Sequence, residues 1–307
     1  MNNIKDLYIK RVDSFNKRLN ETKRKQLVLS ILRLIAFIAI LVSVFYLPRL
    51  SVLLCIITCI ITSVVIFTVF LLMVKKFSFF NYRINHLEKL IQINKNEIDA
   101  LKFNYEAFED GAEFIDHDHP YSFDLDIFGA GSMFQYLNRT STFHGKMELS
   151  GWLSKVNTNA DEVIHKQNVI KELASRVELR QNFQAAGQIF NETRSDYEDI
   201  IGWLSEKDII NHKKVYYFLS YFFPILTLIS AGLTIADFDW FPVLIMVFLF
   251  QLLFVGLHLR KTNRLHSLIG KKLGLLKKIF RLLAYIENED FHSENLISIQ
   301  DQLKSGQ

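Results

Sequence analysis

Four side chains in consecutive positions could bind a metal: segment 116–119 holds two aspartates and two histidines. Ligands from one segment usually lie on a helix face or in a shaped loop, and no distant partner ligands can be identified for this one. We therefore interpret it as a solvated loop, and an enzyme that uses His117 and His119 is the weakest alternative. Cys55 and Cys59 share a helix face and are interpreted as packing residues, because a disulfide or metal site would need an oxidising compartment or more ligands.

Glycines beside serine or lysine could bind phosphate through backbone N–H groups at three places. These are Gly129-Ala130-Gly131-Ser132, Gly145-Lys146-Met147 and Gly270-Lys271-Lys272. A Walker A loop has the pattern G-x-x-x-x-G-K-[ST], and none of the three fits it. We therefore expect no catalytic residue, no ATP hydrolysis by this chain, no bound metal and no cofactor.

The first of these places begins segment 129–153, whose sequence predicts two short helices separated by a turn. Ser132 can cap the first helix, and Ser141 or Thr142 can cap the second. Apolar residues of the second helix, with Trp152 as the largest, would pack on the core. We expect Trp152 to be buried.

Arg139 follows the first of these short helices. Its guanidinium can bind carbonyl groups at that helix end or pair with an acid such as Asp124 or Asp126. We expect Arg139 to be a structural residue that contacts no ligand.

The same segment resembles the core, or lever, domain of the MutS family of DNA mismatch-repair ATPases. The family pattern is a glycine-serine helix, Asp/Asn-Arg-Thr-x-Thr, Gly-Lys/Arg, Leu-x-x-Trp-Leu and then Ile-x-x-Arg-Gln. This sequence departs from the pattern at Lys166, where the family usually has arginine, and it lacks a proline after Trp-Leu. The resemblance covers roughly residues 120–190. The matching residues are Gly131, Ser132, Arg139, Thr140, Thr142, Gly145, Leu149, Trp152, Leu153 and Gln167.

The resemblance implies a helical core that works beside an ATPase domain, in a family that binds ATP and mismatched DNA. DNA is thus a candidate partner through the resemblance alone, and we also expect a homodimer. The Phe-x-Glu wedge of the mismatch-recognising members has no counterpart here. Because the ATPase domain is missing and the last residues look helical, we interpret the chain as the N-terminal portion of a MutS-like protein or as a shortened member.

Four apolar stretches dominate the rest of the chain, at 27–47, 51–74, 215–235 and 241–259. Each is about as long as the roughly 20 residues that a helix needs to cross a bilayer. Glycine and proline number only 16 of 307 residues, about 5% against a usual ~12%, so few turns are available for a sheet. The composition excludes a soluble globular enzyme and predicts a helical membrane protein.

Lysine and arginine are concentrated beside these stretches. Residues 1–26 hold eight against three acidic residues, and residues 260–285 hold eight against none. The connector 48–50 holds one lysine or arginine, and the connector 236–240 holds none. By the positive-inside rule both connectors face outward, and both termini are cytoplasmic in a bacterial inner membrane.

Two cytoplasmic helices are predicted outside the apolar stretches. Residues 1–26 form a basic amphipathic helix that lies on anionic lipid or packs on another helix. Beyond residue 83, apolar residues alternate at spacings of three and four with Asn94 as the one polar member, a pattern that predicts a coiled-coil helix. We expect Asp110-Gly111 to end that helix.

After the last apolar stretch, a basic helix carries an apolar stripe. Three interpretations stay open: a helix on anionic lipid, a helix that continues the lever, and a phosphate-binding surface. The basic residues that could contact lipid or phosphate are Arg264, Lys271, Lys272, Lys277, Lys278 and Arg281.

The predicted fold class is all-α, a membrane protein with four transmembrane helices in two hairpins and a cytoplasmic MutS-like helical core. Its parts are the N-terminal helix 1–26, hairpin 27–74, coiled coil and core 75–214, hairpin 215–259, and basic helix with C-terminal tail 260–307. The predicted function is a membrane-anchored scaffold for a MutS-type ATPase domain. The alternative is a structural coiled-coil membrane scaffold with no nucleic-acid function.

Overall fold

The computed structural model describes residues 2–46, 52–190 and 214–306, and the regular secondary structure of these residues is helical, with no strand among them. The all-α part of the predicted fold class is therefore confirmed. The described helices are α1 (Asn2–Tyr46), α2 (Val52–Ala100), α3 (Met133–Leu137), α4 (Phe143–Ser154), α5 (Ala160–Ser175), α6 (Val177–Gln188), α7 (Lys214–Ala236), α8 (Phe241–Glu287) and α9 (Glu294–Ser305). Residues 1–191 with 278–307 form one compact unit, and residues 192–277 form another.

In the first unit, α1 and α2 pack against each other along their apolar faces. Phe15 and Leu19 of α1 are buried in one cluster with Ile84, Leu87 and Ile91 of α2. Each such side chain contributes about 1.5–3 kcal/mol when it leaves water. Of the two alternatives for the amphipathic N-terminal helix, the structure therefore shows packing on another helix.

Asn94, the one polar member of the α2 stripe, is fully buried and hydrogen-bonded. Its Nδ2 donates to the Leu90 carbonyl at 2.7 Å and to Gln181 Oε1 at 3.0 Å, while Gln181 Nε2 donates back to Asn94 Oδ1. Arg11 Nε donates to the same Gln181 oxygen. Because a buried amide is costly without partners, this network favours one register between α1, α2 and α6.

Helix α2 ends at Ala100, ten residues before Asp110, so the predicted end at Asp110-Gly111 is wrong. Phe103 adopts a left-handed conformation with φ of 65°. The Phe103 N–H donates to the Ala100 carbonyl and the Asn104 N–H to the Asp99 carbonyl, the bonding pattern of a Schellman end. Phe103 thus occupies the place usually held by glycine.

Irregular chain from residue 101 to 132 packs around a second, aromatic core. Phe134 is fully buried between Phe114 and Phe128, with ring centroids 5.6 and 5.4 Å away. Gly111, at φ of 69°, lies against this ring, and a Cβ there would come within 2.6 Å of Phe134 Cδ1. This contact and the positive φ account for the glycine that the sequence analysis placed at a helix end.

The second unit contains α7 and most of α8. Pro224 lies inside α7. Gln251 Nε2 of α8 donates to Thr227 Oγ1 at 2.7 Å and to the Phe223 carbonyl at 3.1 Å, which links the two helices.

No helix in the described part of the chain combines the length and the apolar run that a membrane span needs. A span requires about 20 predominantly apolar residues within one helix. This finding contradicts the predicted multi-pass localisation in a bacterial inner membrane, and with it the four-span part of the fold class. The first predicted connector, 48–50, lies outside the described residues.

Candidate functional site

The segment with the MutS resemblance begins with a tight turn around Ser132 and Gln135. Ser132 caps α3, where its Oγ accepts the Gln135 N–H at 3.2 Å. The Gln135 side chain accepts the Gly131 N–H at 2.7 Å and donates to the Phe108 carbonyl at 2.9 Å. Gly131 has φ of 75°, which favours glycine there. These bonds attach the turn to the chain that follows α2.

Asn138 joins the turn to the next motif residues, although the sequence analysis did not single it out as a site residue. Its side chain is buried and donates to the Glu109 carbonyl at 3.0 Å. Its Oδ1 accepts both the N–H and the hydroxyl of Thr140, the hydroxyl at 2.7 Å. The signal for this role is local, because asparagine side chains often bond the backbone two residues ahead.

Arg139 ties the segment to helix α2. Its Nε lies 2.6 Å from Glu97 Oε1 and its Nη2 lies 3.3 Å from Glu97 Oε2. Nη1 donates to the carbonyls of Tyr136 and Asn138, and the guanidinium lies 3.5 Å from the Phe108 ring centroid. The carbonyl contacts at the helix end agree with expectation, but the acid is Glu97 and neither Asp124 nor Asp126.

Thr142 caps α4, where its Oγ1 accepts the Gly145 N–H at 3.0 Å. A Cβ at position 145 would lie 2.9 Å from that oxygen, which explains the glycine. The neighbouring Ser141 packs tightly on Gly187 of α6. The Lys278 ammonium donates to the Ser141 carbonyl at 2.8 Å and to the Phe190 carbonyl at 3.2 Å. The segment is therefore also attached to α6 and to the end of α8.

Lys146 is the one lysine of the segment that could have bound phosphate, and it lies between two carboxylates. Its Nζ is 2.8 Å from Glu109 and 2.7 Å from Glu113. Burial lowers the pKa of Lys146, but the hydrogen bonds to both carboxylates outweigh burial and raise it. In this position the two acids would repel a phosphate.

Trp152 is not buried: 52% of its surface is exposed, so the predicted burial is wrong. The buried side of α4 runs through Leu149, Ser150 and Leu153, and at about 100° per residue Trp152 lies off that face. Lys166 Nζ of α5 lies 4.7 Å from the indole centroid. Leu149 and Leu153 pack on the aromatic core, and Gln167 is exposed.

The basic residues of α8 do not form one solvated surface. Lys278 is 1% exposed, and the Arg281 guanidinium lies 3.5 Å from the Tyr82 ring centroid. Lys277 is exposed and Lys272 is half-buried. As a contact for lipid or phosphate, Lys278 is therefore wrong, because its ammonium is buried and bonded to two carbonyls. Arg281 is half-buried, and as such a contact it stays a prediction. The side chains of Arg264 and Lys271 lie outside what the structure describes.

The 116–120 segment is a set of turns in which His119 has structural partners. Its Nε2 contacts the Ser154 carbonyl at 3.0 Å, and its Nδ1 lies near the N–H groups of Tyr121 and Ser122. A carbonyl only accepts, so Nε2 carries the proton and Nδ1 accepts. Within the described ranges, no group of three or more possible metal ligands is present.

A cavity of about 460 Å³ opens beside the segment, within the first unit. Its wall includes Arg139 and Thr142 as well as Glu97 of α2, and further residues come from helices α1, α5, α6, α8 and α9. The sequence analysis missed this cavity, because the residues that form it are spread along the chain from Tyr8 to Ile299. The lining residues are Tyr8, Ile93, Glu97, Arg139, Thr140, Ser141, Thr142, Gly145, Leu173, Val177, Leu179, Arg180, Gln181, Phe183, Gln184, Ile286, Phe291, Leu296 and Ile299.

Comparison with known proteins assigns neither a family nor a function to this site. No family model, no curated protein and no solved structure matches the chain.

Proposed function

We propose that this chain is a non-enzymatic helical lever of the MutS type, in which segment 129–153 is the joint that holds the long helices. Arg139 carries the proposal, because its ion pair with Glu97 connects the joint to α2, a helix of 49 residues. At about 1.5 Å per residue such a helix is roughly 70 Å long. A movement of the joint reaches the far end of α2 only if the joint holds that helix rigidly.

The contacts of Lys278 support the same role. They attach the joint to the last turns of α8, while Ser132 and Thr142 cap helices within the segment and Asn138 bonds both Thr140 and the Glu109 carbonyl. A joint of this kind positions helices and performs no chemistry itself. The partner that we propose from the resemblance is a MutS-type ATPase domain that binds ATP and DNA, with the chain acting as a homodimer.

Distance measurement between spin labels tests the joint. With Cys55 and Cys59 replaced by alanine, labels at the exposed positions Lys95 of α2 and Glu148 of α4 should give one narrow distance distribution. Arg139→Ala should broaden it. The matched control is Lys102→Ala, which removes an exposed cation near the end of α2 and should leave the width unchanged. An unchanged width in Arg139→Ala would show that the pair does not hold the joint.

The mass of the protein isolated from its own cells tests the ATPase partner. A polypeptide much heavier than 35.9 kDa whose peptides include a Walker A motif would support the lever. A mass of 35.9 kDa with no stably bound P-loop ATPase would contradict it.

The second candidate is a structural helical scaffold with no nucleic-acid function. One observation favours it: the joint's polar groups bind each other and the adjoining helices, as a static brace would require. The mass measurement separates the two candidates, because only the lever requires an ATPase.

A further inference from the structure

The cavity beside the joint has an apolar part. Leu173, Val177 and Phe183 contribute from α5 and α6, and Leu296 and Ile299 contribute from α9. A volume of about 460 Å³ lies within the range of about 300–1,000 Å³ that small-molecule sites occupy, and such sites are mostly apolar with a few polar groups. An apolar ligand would cover the apolar part of this wall and remove it from water.

Three charged residues and one phenol line another part of the cavity. They are Glu97 of α2, Arg139 before α4, Arg180 of α6 and Tyr8 of α1. The pKa of Tyr8 is raised, first by burial and then by the negative charge of Glu97, while Arg180, Arg139 and Arg11 act in the opposite sense. These charges therefore act together at the Tyr8 hydroxyl and define a polar end of the cavity.

Of the two arginines that line the cavity, Arg180 is the one with no carboxylate partner within the described residues. Its Nη2 donates to the Ala174 carbonyl at 3.1 Å, whereas Arg139 is already paired with Glu97 in two contacts. Arg180 is exposed, and it lines the same cavity as Tyr8, so an anion that enters the cavity can meet both groups. Among the residues that line the cavity, two arginines and one glutamate leave one positive charge, and Arg11, which does not line it, adds to the positive potential at Tyr8.

We propose that this cavity binds an amphipathic monocarboxylate, with its carboxylate at Arg180 and Tyr8 and its hydrocarbon chain along the apolar wall. Arginine matches a planar carboxylate with two parallel N–H bonds. Glu97 disfavours a doubly charged phosphate in the same place. The site does not depend on the lever, since neither ATP nor DNA is needed to fill it.

Calorimetric titration of the full chain with dodecanoate, below its micelle concentration, tests the site. Dodecanoate should bind with saturation at one site, and dodecanol should bind about tenfold more weakly because it cannot form the charge-assisted bonds. Dodecyl phosphate should also bind more weakly than dodecanoate. Absence of saturable dodecanoate binding, or tighter binding of dodecyl phosphate, would overturn the proposal.

Variants of the lining residues test whether dodecanoate binds in the cavity. Arg180→Gln should weaken dodecanoate about tenfold and leave dodecanol unchanged, and Lys171→Gln is the matched control, an exposed cation of α5 outside the cavity wall that should change neither. Leu296→Trp should fill the cavity and abolish binding of both ligands. Leu296 is only half-buried, so the larger side chain should be tolerated and the variant should fold. Wild-type affinity in folded Arg180→Gln, or in folded Leu296→Trp, would show that dodecanoate binds elsewhere.

Discussion

Arg139 and Glu97 lie 42 residues apart in the chain and meet in a two-pronged ion pair, with Nε 2.6 Å from Oε1 and Nη2 3.3 Å from Oε2. Both side chains are more than two-thirds buried. The pair connects the end of a long helix to the turn between two short ones, and the Phe108 ring covers the guanidinium. A contact of this geometry differs from an exposed ion pair, which is worth about 0–1 kcal/mol.

Removing Arg139 should therefore destabilise the chain. Arg139→Ala should lower the free energy of unfolding by about 2–3 kcal/mol, because it leaves a partly buried carboxylate and two carbonyls without their donor. Glu97→Gln should cost about 1 kcal/mol, since the amide still accepts one bond. Urea denaturation measures both values, and the double variant gives the coupling between the two residues. Equal effects of Arg139→Ala and Lys102→Ala would contradict the prediction.

Lys278 and Lys277 provide a second matched comparison. Lys278 is buried and donates to two carbonyls, whereas its neighbour Lys277 is exposed. Lys278→Met should lower the free energy of unfolding by about 2 kcal/mol, because the carbonyls of Ser141 and Phe190 lose their donor. Lys277→Met should stay within about 0.5 kcal/mol. Thermal melts of the two variants check this, and equal midpoints would contradict it.

Some of this architecture could be predicted from sequence because the determinants are local. The apolar stripe through Ile84, Leu87 and Ile91 shows helical spacing, and the Ser132 and Thr142 caps act over three residues. The partner of Arg139 could not be predicted in this way. Asp124 and Asp126 were closer in sequence than Glu97, but a side chain at the end of a long helix reaches residues that spacing does not reveal.

Two other predictions, the end of α2 and the burial of Trp152, were wrong for local reasons. The apolar spacing of α2 continues through Tyr105 and Phe108, which suggested helix up to Gly111, but both rings lie in an irregular segment. Tyr105 contacts Tyr136 edge to face, and the Arg139 guanidinium lies over the Phe108 ring. Trp152 is large and apolar, which suggested burial. The buried face of α4 is decided by Leu149 and Leu153, and size alone does not place a residue on it.

The exposure of Trp152 leads to a prediction about stability. Trp152→Ala should lower the thermal midpoint only slightly, because the indole loses little burial and one cation–π contact worth about 0.5–1 kcal/mol at an exposed site. Phe134→Ala should cost about 3–5 kcal/mol, because this ring is fully buried among aromatic neighbours. Calorimetry of the two variants measures the difference. A larger loss from Trp152→Ala would mean that the indole is buried in solution.

Phe103 is a site where a substitution should stabilise the protein. A non-glycine residue in the left-handed region costs about 1–2 kcal/mol, and 79% of the Phe103 surface is exposed, so little packing is lost. Phe103→Gly should raise the free energy of unfolding by about 0.5–1 kcal/mol, after the entropic cost of glycine. Phe103→Ala is the control, because it removes the ring but keeps the Cβ and should give no gain. Destabilisation by Phe103→Gly would show that the ring makes contacts in solution.

Glu172 makes the attachment of α9 depend on pH. Its carboxylate accepts the N–H groups of His292 and Ser293, at 2.9 and 2.8 Å, and pairs with Arg176. Burial alone would raise the pKa of Glu172, but these donors outweigh it and lower the pKa from 4.5 to about 2. Because the folded pKa lies below the unfolded one, the stabilisation is complete above about pH 4.5 and is lost as the pH falls towards about 2.

The difference in the free energy of unfolding between wild type and Glu172→Gln separates this effect from that of the other acids. We expect wild type to be more stable near neutral pH, with a constant difference down to about pH 5. Below about pH 4.5 the difference should shrink as the wild-type carboxylate becomes protonated, and it should approach its minimum near pH 2. Urea denaturation across this range measures it. A difference that stays constant from about pH 5 to pH 2 would show that the bonds to His292 and Ser293 do not depend on the charge of Glu172.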